Sequence, residues 1–294
     1  MAKDADSTPR SSTVIRRHSW FTRLWHWINA LCLLVLLMSG LQIFNAHPAL
    51  YWGHASTFNA PFLSIGARRD AAGDPMGYVN IEGMEIPTTG VLGWSRVGNQ
   101  MQPRAFPVWA TLPGPQWLSL GRQWHFTAAW VFGVMLAVYL IYSIISRRRR
   151  RLIGVHHGEM GTFGHAVVEH AKFRFPRVRD YNIIQKLTYL LVLFGLLPLM
   201  VLTGLTMSPT MDAGWPWLPV VFGGHQSART IHFLCAFTLV GFFIVHLVLV
   251  LVSGVFNNMR AMITGGYRVD EPVAPPRDAE AEAAAAPQEN RHGE

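Results

Sequence analysis

The sequence predicts an all-α integral membrane protein: a four-helix bundle with both termini cytoplasmic and a long periplasmic loop between helices 1 and 2. Three observations carry that expectation. Half of the 294 residues are hydrophobic and only 14% are charged, a balance that belongs to membrane proteins. Four continuous apolar runs, residues 24–44, 126–145, 187–207 and 231–252, each come close to the ~20 residues that cross a hydrocarbon core as helix. The basic residues also cluster on alternate connections, as the positive-inside rule requires.

Taken in order, the elements divide the chain into a polar tail at 1–13, a membrane domain at 14–268, and an Ala-, Pro- and Glu-rich tail at 269–294. Both tails are expected to be disordered, because neither can bury a core. The first run follows Arg16, Arg17 and Arg23, as the apolar part of a signal peptide would, but its length argues for a retained helix. The connection from 45 to 124 carries nearly balanced charge and is expected on the periplasmic side. Its Tyr51, Trp52, Trp94, Pro107, Trp109 and Pro113 predict an ordered cap at the membrane interface. Five arginines at 147–151, then Lys172, Arg174, Arg177 and Arg179, mark the second connection as cytoplasmic. They anchor topology and lipid headgroups, so the excess of 25 Lys and Arg over 17 Asp and Glu does not imply nucleic-acid binding. The third connection, 208–228, returns to the periplasmic side. Cys32 and Cys235 lie inside spans and form no CxxCH pattern, which excludes covalent haem attachment of that type and leaves them as small packing residues.

Four histidines, His26, His125, His232 and His246, fall in or at the edge of these spans, where an imidazole needs a reason. His232 and His246 are separated by about 21 Å along one helix and return to nearly the same face. With one histidine on each of two other helices, they can hold two bis-histidine iron sites at different depths. Ligands of one iron must share a depth, so topology pairs His125 with His232 for an outer haem and His26 with His246 for an inner one. His246 should sit deeper than His26, and this requires helix tilt or an offset. The segment Arg122, His125, Phe126, Ala129 repeats as Arg229, His232, Phe233, Ala236. Arg23, Arg122 and Arg229 each precede a histidine by one turn, where they can pair with a haem propionate or reach headgroups. Gly40 and Gly204 occupy similar M-S-G-L and L-T-G-L contexts and make room for a macrocycle or a neighbouring helix.

Arg23-Leu24-Trp25-His26-Trp27, the entry Arg122 to Phe126, Tyr181-Asn182-x-x-Gln185-Lys186, and His232 with His246 together resemble the bacterial b-type cytochrome family. That family includes the membrane subunits of nickel-iron hydrogenases, formate dehydrogenase and thiosulfate reductase. The resemblance implies two non-covalent haem b groups ligated by His26, His125, His232 and His246, and residence in the bacterial inner membrane. It also implies electron exchange between membrane quinone and an extracytoplasmic redox subunit, with Arg23, Asn182, Gln185 and Lys186 on the quinone side. The long outer loop is similar to that of members associated with molybdopterin oxidoreductases, which implies such a partner ahead of a hydrogenase. The alternative is a haem-free transporter using the histidines as a proton or ion relay. Such relays commonly recruit membrane Asp and Glu, and the four runs contain none.

Overall fold

The computed structural model describes residues 10–146, 161, 164, 168 and 183–272. Among the described residues, four helices are long and apolar enough to cross a membrane: α1 (Trp20–Phe44), α2 (Leu118–Ile145), α3 (Ile183–Thr206) and α6 (His225–Val252). The chain is a multi-pass membrane protein. Ser19 starts α1 ahead of the apolar run, its Oγ accepting from the Thr22 N–H at 3.3 Å and satisfying one donor that the first turn would leave unpaired. α1, α2 and α3 close on a core of Cys32, Phe132, Leu136, Tyr139, Leu193 and Leu197. Trp25 stacks on Tyr139 with ring centres 3.9 Å apart, and its indole N–H donates to the Met135 carbonyl at 3.1 Å. Outward-facing Trp130, Val134 and Ile141 of α2 stay exposed, as an apolar solvent demands.

The middle of α3 departs from the uniform helix expected there. Residues Leu191–Leu196 are π-helical, between α-helical Ile183–Leu190 and Leu197–Thr206. Pro198 has no N–H for the carbonyl one turn earlier, so the ordinary ladder breaks beside it and the turn widens. Cys235 of α6 donates its thiol to the Leu196 carbonyl in this stretch, at 3.5 Å. Both cysteines are buried free thiols.

The expectation of an all-α chain is corrected between α1 and α2. This connection folds as β2 (Ala49–Leu50), β3 (Leu63–Arg69), β4 (Pro75–Ile81) and β5 (Met84–Pro87) in one antiparallel sheet, with the hairpin β6 (Gly93–Val97) and β7 (Gln100–Arg104) beside it. Leu50, Ile65, Ala105 and Phe106 bury themselves against Phe44 at the end of α1. The hairpin approaches β3 backbone to backbone: Gly93 has φ +75°, and a Cβ there would stand 2.0 Å from the Gly66 carbonyl oxygen, so only glycine fits. Arg104, 5% exposed, ties this β cap to the bundle. Its Nε donates to the Phe106 carbonyl at 2.7 Å, and its Nη2 to Gln42 Oε1 at 2.8 Å and Thr111 Oγ1 at 2.7 Å. Gln42 in turn donates to the Pro115 carbonyl at 2.9 Å, just before α2. Between α3 and α6 the chain makes two short helices, α4 (Pro209–Gly214) and α5 (Trp217–Val221).

At the opposite end, α7 (Val255–Ile263) leads into β8 (Gly266–Pro272), which pairs antiparallel with β1 (Arg10–Arg16). Tyr267 and Val269 bury themselves with Ala261, and Ile15 packs against them. The Arg17 guanidinium lies 4.2 Å from the Tyr267 ring centre. Arg10 pairs with Pro272 and Thr13 with Val269, so strand pairing runs into both segments expected as tails. Alternating side chains let a short strand bury one face. Residues 1–9 and 273–294, the arginine run at 147–151, and Tyr181 with Asn182 lie outside the described residues.

Candidate functional site

His125 and His232 stand at the same offset from the first residues of α2 and α6, which both enter the bundle from the β-cap side. Their imidazoles meet across the bundle with ring centres 6.3 Å apart and planes inclined by 63°. Neighbouring helices hold each ring in the same way. Ser39 of α1 donates its hydroxyl to the Val35 carbonyl at 2.6 Å, and its Oγ lies 3.1 Å from His125 Nδ1. Thr203 of α3 donates to the Leu199 carbonyl at 2.7 Å, and its Oγ1 lies 3.0 Å from His232 Nδ1.

The residue after each hydroxyl is a glycine that touches the same ring. A Cβ on Gly40 would be 3.3 Å from His125 Cε1, and one on Gly204 would be 3.4 Å from His232 Cε1. Hydroxyl and glycine thus form a seat for each imidazole, and the two seats extend the Arg-x-x-His-Phe repeat into a structural repeat of helix pairs. The glycines were visible in sequence as places for close approach. The hydroxyls beside them were not singled out, although S-G and T-G recur in equivalent positions.

His26 lies in the second turn of α1 counted from Trp20, and His246 in the second turn of α6 counted back from Val252. Helix α1 starts ahead of its apolar run, so each of these residues stands six positions from its helix end. His246 stacks on Phe242 with ring centres 5.7 Å apart. His26 Nδ1 is buried without a hydrogen-bond partner, unlike Nδ1 of His125 and His232.

The three arginines are engaged by protein groups. Arg23 donates to the Ile263 carbonyl at the end of α7, and its Nε is buried without a partner. Arg122 lies 5.5 Å from the Phe126 ring centre. Arg229 donates to the His47 carbonyl and lies 5.5 Å from the Phe44 ring centre. His47, between α1 and the β cap, stacks on Tyr51; burial, and then the Arg229 charge, hold its pKa below the ordinary 6.5. Gln185 and Lys186 fall at the His26 end of α3, and Lys186 is buried.

The family model for prokaryotic cytochrome b561 matches residues 17–265, the region that contains all four membrane helices and the β cap. A putative protein-methionine-sulfoxide reductase subunit, YedZ1, of Azospira oryzae is 24% identical over 265 residues, covering 87% of this chain and 99% of that protein. No solved structure matches the chain. Four apolar helices, histidines in facing positions and a match across most of the length agree: this chain belongs to the prokaryotic cytochrome b561 family.

Proposed function

We propose that this chain is a di-haem b-type cytochrome of the bacterial inner membrane, passing electrons between quinone and an extracytoplasmic oxidoreductase. Family membership makes it a haem b electron-transfer subunit. The observation that carries the finer reading is the facing of His125 and His232. An iron between two imidazoles sets their ring centres about 6 Å apart, given metal–nitrogen bonds of about 2 Å, and the rings lie at 6.3 Å. The residues therefore fit a bis-histidine haem. His26 and His246 offer a second pair at the other end of the bundle.

A bound haem supplies a one-electron iron couple. The chain's own residues hold the imidazoles, exclude water with apolar helix faces, and fix the spacing between sites. His125 and His232 would hold the haem near the β cap, and His26 and His246 the haem near the β1–β8 end. Arg23, Arg122 and Arg229 lie one turn from ligands and would reach propionates. The positive-inside charge pattern supports a topology with both chain ends in the cytoplasm and the β cap outside. Quinone would then exchange electrons near His26, where Gln185 and Lys186 sit. The β cap faces the partner. The name of the Azospira protein favours a reductase of protein methionine sulfoxide. The outer loop's resemblance favours a molybdopterin enzyme over a hydrogenase.

The test is a dithionite-reduced minus air-oxidised absorption spectrum of the detergent-purified chain, with haem counted by pyridine haemochrome. Two low-spin haems b per chain are expected. A chain without haem after expression with ample haem supply would sink the carrier reading.

A further inference from the structure

The structure assigns Ser39 and Thr203 as positioning residues: each hydroxyl accepts the Nδ1 proton of one axial histidine, leaving Nε2 free for iron and lowering the potential of that haem. This assignment rests on the di-haem reading and adds to it a cause for the difference between its two sites.

The argument begins with proton placement. A helical serine or threonine has one hydroxyl hydrogen, and here it is committed to the carbonyl four residues back, at 2.6 Å for Ser39 and 2.7 Å for Thr203. What remains toward the imidazole is lone pair, so at 3.1 Å and 3.0 Å the hydroxyl oxygen can only accept. Nδ1 must therefore carry the hydrogen in both rings. A neutral imidazole with hydrogen on Nδ1 has its ligating lone pair on Nε2.

Position follows from packing. Both hydroxyl residues are fully buried, at 0% exposure, and the adjacent Gly40 and Gly204 press on Cε1 of the same rings. Each ring is thus held at one nitrogen and along one edge before iron arrives. A hydrogen bond donated from the far nitrogen makes an imidazole a stronger electron donor, and this favours the ferric state. The other pair lacks the device at His26, whose buried Nδ1 has no partner. The two haems are therefore tuned differently by the protein, and Ser39 with Thr203 act on only one of them.

The experiment is a spectroelectrochemical titration of the full-length chain in detergent, comparing wild type with Ser39→Ala/Thr203→Val and with Ser39→Thr/Thr203→Ser. Wild type is expected to titrate in two waves. In the Ala/Val form one wave moves to higher potential while the other stays, and the low-spin ferric EPR signal of one haem shifts with it. Because the other hydroxyl remains, each single variant moves the wave part of the way. The Thr/Ser form, which keeps both hydroxyls, restores the wild-type position. Loss of one haem in the Ala/Val form but not in the Thr/Ser form equally supports the assignment. Two haems with unmoved waves and unmoved EPR in the Ala/Val form would overturn it and leave the carrier reading standing, as would equal haem loss in both variants. Absence of haem from wild type would remove the carrier reading and this assignment together.

Discussion

Glycine in the middle of a helix costs about 1 kcal/mol relative to alanine, so Gly40 and Gly204 call for a compensating contact. The ring beside each supplies it: an added methyl would crowd His125 or His232 at 3.3–3.4 Å. Gly133, on the same α2 helix as His125, has nothing within 4 Å of the equivalent position. Gly40→Ala is therefore expected to push the His125 ring by a few tenths of an ångström and lower haem retention at that site. Gly133→Ala should leave haem content unchanged. Pyridine haemochrome per chain after purification distinguishes the two, and equal haem in both variants would show that the close approach is dispensable. The four histidines stand out in the sequence by their place in apolar spans, and the two glycines by their similar M-S-G-L and L-T-G-L contexts. Ser39 and Thr203 could not, because a helical hydroxyl ordinarily bonds back to its own backbone. Both residues do so here, and their second contact exists only once the helices are packed.

Elements divided in the same way between local signals and tertiary ones. Continuous apolar runs located all four spans, since a lipid-facing helix shows its character residue by residue. The β cap was expected only as an ordered loop rich in aromatics. Its strands are short, and β3 alternates Leu63, Ile65 and Ala67 with Ser64, Gly66 and Arg68 over a stretch that an interior glycine and a closing pair of arginines weaken as a strand signal. Its partners are chosen by contacts such as Gly93 against Gly66 that no short window contains. What joins this cap to the helices is Arg104, whose pKa is lowered by burial and which donates to the neutral acceptors Phe106 O, Gln42 Oε1 and Thr111 Oγ1. Truncation to Arg104→Ala would leave Gln42 Oε1 without its donor in a buried site and take the charged donor away from Thr111 Oγ1 and the Phe106 carbonyl, which keep Val108 and Asn45 as partners. The expected cost is about 3 kcal/mol, from lost bonds to a charged donor and a newly unpaired acceptor. Arg104→Lys should recover little, because one ammonium cannot reproduce the geometry of the guanidinium fork. Thermal unfolding in detergent checks both, and a loss under 1 kcal/mol in Arg104→Ala would mean that the cap is held by its apolar core instead.

Across the whole molecule, the family match from 17 to 265 ends where β1 and β8 begin. The two strands pair with each other, one from each end of the matched region. Their composition is mostly polar, and only the pairing of the two strands reveals a packed face at Ile15, Tyr267 and Val269. A strand pair outside the family core should hold the chain ends together without being required for the sites. His26 is fixed by α1, whose own cap at Ser19 lies inside the matched region, and Arg23 reaches Ile263 on α7 without help from the sheet. Deleting residues 1–16 is accordingly expected to leave haem per chain and both redox waves as in wild type. The freed β8 loses its partner strand and part of the cover over Tyr267, so limited proteolysis should cut within 266–272 several times faster. Loss of the haem assigned to His26 and His246 in that truncation would give the opposite result: the sheet would then belong to the inner site, and the pairing of the chain ends would be part of how this protein sets the position of α1 against α6.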